Sequence, residues 1–139
     1  RRHERAAGVD FEEVFGMDQA DSFLLLESGR ADAFVMDGSL LAGLIARSKN
    51  PSDFKIVGEV LSVEPIAIMF RKDDPAFKKA VDDSIIAMMK SGELAKIYDK
   101  WFMQPTPPNG VRMNMPMSEA LKAALANPND RPMEAYQAK

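Results

Sequence analysis

The sequence contains no cysteine, and His3 is its only histidine. Without cysteine the chain has no disulfide, no thiolate nucleophile and no cysteine metal ligand, although this absence by itself assigns no compartment. A zinc site or a Ser-His-Asp triad has almost no histidine to draw on. We therefore predict neither a bound metal nor a cofactor.

Blocks of positive charge and long apolar runs are also missing. The formal net charge is −3 at pH 7, with no cluster of lysine and arginine, which argues against a nucleic-acid partner. No apolar run approaches the roughly 18–20 residues of a membrane span, and no signal peptide is recognisable, so we predict no direct membrane insertion. The 139 residues, 46% hydrophobic and 28% charged, predict one globular domain, or one domain and part of another, with a core of modest size.

One stretch, residues 27–37, organises the rest of the chain. Gly29 is typical of the left-handed position that closes a helix. The apolar run that follows has the length of a buried strand, and Asp37 stands where that strand ends. Ligands of open α/β sheets bind outside the carboxyl ends of the strands. Asp37 therefore has two interpretations, a ligand-binding carboxylate or the cap of the next helix.

The patterns on either side of this stretch predict an α/β fold. The predicted strands are residues 9–14, 32–36 and 54–60. Helices between them give the order β-α-β-α-β, which implies right-handed crossovers and parallel pairing. A further run, residues 63–70, is apolar on both faces after Pro65 and is typical of a strand buried on both sides. The three leucines at 24–26 are predicted to lie in the core.

The C-terminal part has the periodicity of helices and no strand of its own. Asp74 followed by Pro75 predicts the start of one helix, and Ser118 predicts the start of a later one. Trp101, the only tryptophan, continues an apolar stripe and is predicted to anchor the core. These stripes must cover something. We expect that the sheet they cover is not part of this chain.

A proline-rich linker and an arm separate these helices. Residues 104–110 contain three prolines, an asparagine and a glycine, which excludes a helix or a central strand. The arm carries methionines at the alternate positions 113, 115 and 117. We expect these methionines to pack in an extended segment rather than to bind metal.

Three segments in this order resemble the polar amino acid-binding proteins of bacterial ABC transporters, which have the type II solute-binding fold. They are residues 27–37, 69–75 and 91–102, and the last, Ser-Gly-Glu-Leu-Ala-Lys-Ile-Tyr-Asp-Lys-Trp-Phe, is the most specific. Residues 105–108 and 114–118 resemble the glutamate/aspartate-binding subgroup. The resemblance covers nearly the whole chain.

The resemblance implies an α/β, periplasmic-binding-protein-like fold of two lobes joined by crossover strands. Residues 1–62 then belong to the second, ligand-binding lobe as a parallel β-α-β unit. Residues 63–72 form the hinge, and residues 73–139 are C-terminal helices and an arm that belong to the first lobe. The first-lobe sheet, a Gly-Thr-Thr turn and the arginine that clamps the ligand's α-carboxylate would all precede Arg1.

The resemblance also assigns candidate ligand-binding residues. Asp37 matches the carboxylate that receives the ligand's α-ammonium group, a charge-assisted contact. Gln19 stands where the subgroup has a histidine near the ligand, so a neutral or amide ligand is compatible with this site. Asp18 and Ser22 are further candidates, for which capping of the helix is the better explanation.

The function implied is the extracytoplasmic, periplasmic solute-binding component of an amino acid ABC transporter. Its partners would be glutamate, aspartate or a related polar amino acid, and the permease in the inner membrane. An enzyme of the same fold that acts on prephenate- or arogenate-like acids is the alternative, and a sensory receptor domain is a third hypothesis. Homodimerisation or exchange of elements is a further hypothesis, because apolar helix faces without the first lobe would seek partners.

Overall fold

The computed structural model describes residues 2–58, 60–61, 63 and 65–136. The chain divides into two compact units, the first ending at Leu44 and the second beginning at Ile45. The α-helices are α1 (Arg2–Ala7), α2 (Gln19–Glu27), α3 (Gly38–Arg47), α4 (Pro75–Ser91), α5 (Glu93–Tyr98) and α6 (Glu119–Ala126). Short 3-10 turns cover Pro51–Asp53 and Met133–Tyr136, and a single π-helical turn, Asp99–Met103, follows α5. None of the described helices is long and apolar enough to cross a membrane.

The C-terminus of α2 ends as the sequence predicts. Gly29 has a φ of 70°, a left-handed conformation that costs glycine nothing because it has no Cβ. Its N–H donates to the carbonyl of Leu26 at 3.1 Å, and the N–H of Arg30 donates to that of Leu25 at 2.8 Å. These are the two hydrogen bonds of a Schellman motif, and they satisfy carbonyls that the helix itself leaves unpaired.

Little of the first unit is buried. Phe23 of α2 and Ala42 of α3 are the buried hydrophobic residues among those described. The prediction that residues 24–26 lie in the core is therefore wrong for Leu24, which is 54% exposed, whereas Leu25 and Leu26 are half-buried. An apolar stripe is buried only where a second element covers it. In α2 the covered residue is Phe23, and Leu24 beside it remains exposed.

The second unit is built on α4. Asp74 accepts a hydrogen bond from the N–H of Phe77 at 3.0 Å, with Pro75 as the first helical residue, which confirms the predicted start of this helix. Gly92, with a φ of 76°, both ends α4 and begins α5. The left-handed glycine turns the chain so that α5 contacts α4, and α6 contacts α4 as well.

The linker and the arm return the chain to α5. An isolated antiparallel bridge between Thr106 and Val111 closes the linker into a turn. The N–H of Met115 then donates to the carbonyl of Phe102 at 3.2 Å, and its carbonyl accepts from the hydroxyl of Tyr98 at 3.1 Å. The arm ends where Ser118 caps α6 as predicted, accepting from the N–H of Leu121 at 3.1 Å.

The predicted strands are not present in the described part of the chain. Residues 9–14, 32–36, 54–58 and 65–70 have no regular secondary structure there, and the β-type pairing described is the single Thr106–Val111 bridge. A strand exists only when its N–H and C=O groups pair with a neighbouring strand. Apolar patterning predicts which residues prefer burial but not whether a partner is present. Residue 59 of a predicted strand, residue 62 at the end of the predicted second-lobe segment and residue 64 of the predicted hinge lie outside the described residues.

Two predictions of burial in the second unit are also wrong. The run at 65–70 was expected to be buried on both faces, yet Ile66 is fully exposed and Met69 is 97% exposed. Trp101 is 48% exposed instead of anchoring a core; the ammonium of Lys100 lies 5.4 Å from its ring centroid. Ile66 and Met69 are not covered by any described element, and about half of the Trp101 side chain remains in solvent.

Candidate functional site

The N-terminus of α2 is organised by two carboxylates. Asp18 is the N-cap, and its Oδ1 accepts from the N–H of Asp21 at 2.8 Å. The Oδ2 of Asp21 reaches back to accept from the N–H of Met17, also at 2.8 Å. The arrangement is similar to a capping box, except that Asp21 reaches Met17, the residue before the N-cap, and both carboxylates satisfy backbone donors at the positive end of the helix. The sequence predicts that Asp21 favours the positive end of the helix, but its hydrogen bond with Met17 was not predicted, although the spacing Asp-x-x-Asp is a signal for such a bond.

Ser22 is also occupied by the backbone of this turn. Its Oγ accepts from the N–H of Gly16 at 3.2 Å, and the serine is half-buried. Gly16 lies so close to α2 that a Cβ built on it would be 2.4 Å from the Ser22 nitrogen. The structure thus places both lower-ranked candidates, Asp18 and Ser22, in hydrogen bonds that hold the loop against the helix.

Gln19 is differently placed, because it is the first residue of α2 and its side chain is exposed. No hydrogen bond of its amide is found among the described residues. The amide can therefore donate its N–H groups or accept at its oxygen, which suits a carboxylate or an amide on a ligand.

Asp37 directly precedes α3, and its carbonyl accepts from the N–H of Leu41 at 2.9 Å. Its backbone thus begins the helix, as the capping interpretation requires. The exposed carboxylate, however, makes no hydrogen bond or ion pair with any residue that the structure describes. The negative charge suits the positive end of the helix, and the unused carboxylate oxygens can accept hydrogen bonds from an ammonium group.

An aromatic contact joins the elements that carry Gln19 and Asp37. The ring of Phe23, one turn after Gln19, lies 6.4 Å from the ring of Phe34 at an interplanar angle of 57°. Phe34 precedes Asp37 by three residues, so this contact fixes the segment before Asp37 against α2. Within the described residues, no hydrogen bond or ion pair connects Gln19 directly to Asp37.

A separate concavity in the second unit has a different chemistry. This apolar groove has a volume of about 510 Å³. Its lining residues are Leu94, Ile97, Tyr98, Trp101, Phe102, Met117, Leu121 and Leu125. The groove has no charged side chain and cannot neutralise the ammonium and carboxylate groups of a free amino acid. Nor do the described residues bring together three or more His, Cys, Asp or Glu side chains that could hold a metal ion.

Ion pairs on α4 shift the pKa values of their members. Lys78 donates to Asp82 at 2.5 Å and to Asp130 at 3.1 Å. These hydrogen bonds, with Asp82 the larger cause, raise the pKa of Lys78, and the bond from Lys78 lowers the pKa of Asp130. Lys79 pairs with Asp83 in the same way, and its pKa is raised. Lys79, Asp83 and Asp130 are exposed and Lys78 and Asp82 are half-buried, and ion pairs at such accessible positions contribute little to stability.

Comparison with known proteins places these features in a family. The bacterial extracellular solute-binding proteins of family 3 match residues 1–104 of this chain. An L-glutamate/L-aspartate-binding protein of Pseudomonas aeruginosa is 51% identical over 121 residues, which are 87% of this chain and 40% of that protein.

Two further relatives extend the comparison. A glutamate/aspartate import solute-binding protein of Escherichia coli is 49% identical over 118 residues, 85% of this chain and 39% of that protein. An ABC transporter glutamine-binding protein of Bacillus subtilis is 31% identical over 85 residues, 61% of this chain and 30% of that protein. The chain therefore spans about 40% of the length of the most similar of these relatives.

Proposed function

This chain belongs to the bacterial extracellular solute-binding proteins of family 3, and we propose from that premise that it carries one wall of an amino acid site. The site would hold glutamate, aspartate or a related polar amino acid between two lobes. Two relatives about half identical to the chain are named for glutamate and aspartate binding, which supports this ligand class. The named relatives are binding proteins, and none of them supports the enzyme alternative.

The family implies a periplasmic-binding-protein-like α/β fold. We infer that residues 1–62 form part of the second lobe, that residues 63–72 are the hinge and that residues 73–139 pack on the first lobe. Exposed apolar side chains support this arrangement, among them Ile66, Met69 and Trp101. The predicted strands would then pair, and these side chains would be covered, only in a longer protein that also carries the first lobe.

Asp37 is the observation that carries the proposal. Its carboxylate is exposed, stands at the start of α3 and has no partner within the described residues. In the proposed site it receives the ligand's α-ammonium group. A charge-assisted hydrogen bond of this kind contributes roughly 1.5–3 kcal/mol to the free energy of binding.

Gln19 is the proposed contact to the ligand side chain. Because the Gln19 side chain carries no charge, it binds a carboxylate on the ligand's side chain less strongly than a protonated histidine would. We therefore infer that glutamine or another neutral polar amino acid competes with glutamate at this site. Asp18 and Ser22 support the site by holding the loop before Gln19 in place.

The mechanism proposed is closure of the two lobes around the ligand. The closed form would be presented to an ABC permease in the inner membrane, which places the protein in the periplasm. Homodimerisation or exchange of elements is a finer proposal for the chain when the first lobe does not cover its apolar faces. Light scattering that shows a monomer at high concentration would contradict that finer proposal.

Calorimetry tests the proposed function. We expect the longer protein to bind glutamate, aspartate or glutamine, and the 139-residue chain to bind them far more weakly because it supplies one wall of the site. Absence of binding by the longer protein would overturn the ligand class. Micromolar binding by the chain alone would overturn the division of the site between two lobes.

A further inference from the structure

The arm between the linker and α6 carries three methionines at alternate positions, 113, 115 and 117, which we call the methionine edge. Met113, Met115 and Met117 are half-buried, whereas Asn114 and Pro116 between them are exposed. The chain has ten methionines and no cysteine, so thioethers are its only sulfur groups. Half-buried methionines therefore recur at every second position of the arm, and Met117 is the one of the three that lines the apolar groove.

The arm is attached to α5 and the π-helical turn at one residue. Met115 donates through its N–H to Phe102 and accepts through its carbonyl from Tyr98. The rings of Tyr98 and Phe102 are stacked 4.3 Å apart at 17°. Next to this attachment, Met117 lines the apolar groove together with Trp101. The attachment thus depends on apolar contact beside two backbone hydrogen bonds.

We propose that this edge, and Met117 in particular, is an oxidation site whose modification releases the arm from α5. The reagent is a two-electron oxidant of the hydroperoxide class. The thioether sulfur attacks the terminal peroxide oxygen, an S–O bond forms and the O–O bond breaks. The second oxygen takes up the proton of the attacked hydroxyl and leaves as water from hydrogen peroxide, or as an alcohol from an organic hydroperoxide. The sulfur loses two electrons and the peroxide gains them, which leaves methionine sulfoxide.

A sulfoxide at this position works against packing. It converts a flexible apolar side chain into a polar one that requires hydrogen bonds. The groove beside Met117 is lined by apolar and aromatic side chains and offers few partners, so the oxidised residue is better solvated when the arm lifts away. Oxidation of Met17 or Met69, which are 95% and 97% exposed, places the sulfoxide in water at no such cost. This inference does not depend on the proposed ligand.

Graded hydrogen peroxide treatment of the chain tests the proposal. Peptide mass spectrometry measures sulfoxide at each methionine, hydrogen exchange measures release of the Met115 N–H, and fluorescence reports on Trp101. We expect Met17 and Met69 to oxidise first with no change in either structural readout. As Met117 oxidises, hydrogen exchange at the Met115 N–H should become about tenfold faster, because local opening breaks its hydrogen bond to the Phe102 carbonyl more often. The fluorescence emission of Trp101 should shift at the same time.

Two sets of substitutions separate the edge from other sites. M113L/M115L/M117L keeps apolar packing without an oxidisable sulfur and should preserve both readouts under peroxide, whereas M17L/M69L should respond as the unsubstituted chain does. If the triple variant does not fold, M117L alone serves, with a reduced response expected. The proposal is overturned if Met117 oxidises with no change in exchange or emission, if it stays reduced after Met17 and Met69 are fully converted, or if M113L/M115L/M117L or M117L responds as strongly as the unsubstituted chain.

Discussion

The hydroxyl of Tyr98 donates a hydrogen bond to the carbonyl of Met115 at 3.1 Å, across a sequence separation of 17 residues. The Tyr98 ring is also stacked on Phe102, whose carbonyl accepts from the Met115 N–H. The arm is therefore held through both backbone polar groups of one residue, Met115. The family match ends at residue 104. The two hydrogen bonds therefore join the arm, which lies beyond the match, to Tyr98 and Phe102, which lie within it.

Removal of the Tyr98 hydroxyl should weaken the attachment of the arm. We expect Y98F to lower the free energy of local opening at Met115 by about 1 kcal/mol, the usual contribution of one hydrogen bond. Amide hydrogen exchange at Met115 measures this change. The control is Y136F, which removes a bond to Asn129 and should leave exchange at Met115 unaltered; equal effects of the two substitutions would contradict the assignment.

Asn114 should tolerate glycine and reject valine. Its φ is 52°, a left-handed conformation that asparagine adopts more readily than β-branched residues. We expect N114V to cost about 1–2 kcal/mol and N114G only a few tenths, measured as the free energy of unfolding in urea. A valine variant as stable as the glycine variant would show that the arm does not require this conformation.

The ion pair between Lys78 and Asp130 should give a pH dependence of known sign. The lowered pKa of Asp130 means that its contribution to stability is present above the ordinary aspartate value and is lost as pH falls through the folded-state pKa. The raised pKa of Lys78 means that its contribution is complete below the ordinary lysine value and is lost as pH rises through the folded-state pKa. The link is thus intact between about pH 4 and 10.

Titration of the Asp130 carboxyl carbon by NMR measures this effect directly. We expect a midpoint below the ordinary value of 3.8 and an upward shift in K78M. K79M is the matched control, because Lys79 pairs with Asp83 on the same helix and does not contact Asp130. If the titration midpoint of Asp130 is the same in K78M as in the unsubstituted chain, the ion pair is absent in solution.

Substitution of Gln19 should change ligand preference in the longer protein. We expect Q19H to raise affinity for glutamate relative to glutamine by roughly tenfold below pH 6, where the imidazole is protonated and pairs with the side-chain carboxylate. Calorimetry with both ligands at pH 5.5 and pH 8 gives the ratio. A shift of the same size for both ligands at both pH values would remove Gln19 from the side-chain contact.

Local features of the fold could be predicted from the sequence. The caps at Asp18, Asp74 and Ser118 and the left-handed Gly29 all follow from residues within one turn of each other. These features can be read from a short stretch of sequence, because the hydrogen-bond donor and the acceptor are only three or four residues apart.

Burial and strand pairing could not be predicted in the same way. Trp101, Ile66 and Leu24 are exposed in spite of apolar patterns that favour burial, because the covering element is not among the described residues. The place of Asp37 before α3 follows from the sequence, but its unused carboxylate is known only from the structure. That Asp37 binds a ligand stays a prediction.

The ligand affinity of D37N in the longer protein tests the central claim most directly. The matched control is D32N, an exposed aspartate five residues earlier in the same segment. We expect calorimetry to show that D37N weakens binding of glutamate or aspartate by about 10- to 100-fold, the loss of one charge-assisted hydrogen bond, and that D32N leaves it unchanged. Binding by D37N as tight as by the unsubstituted protein would contradict the assignment of Asp37 as the carboxylate that receives the ammonium group.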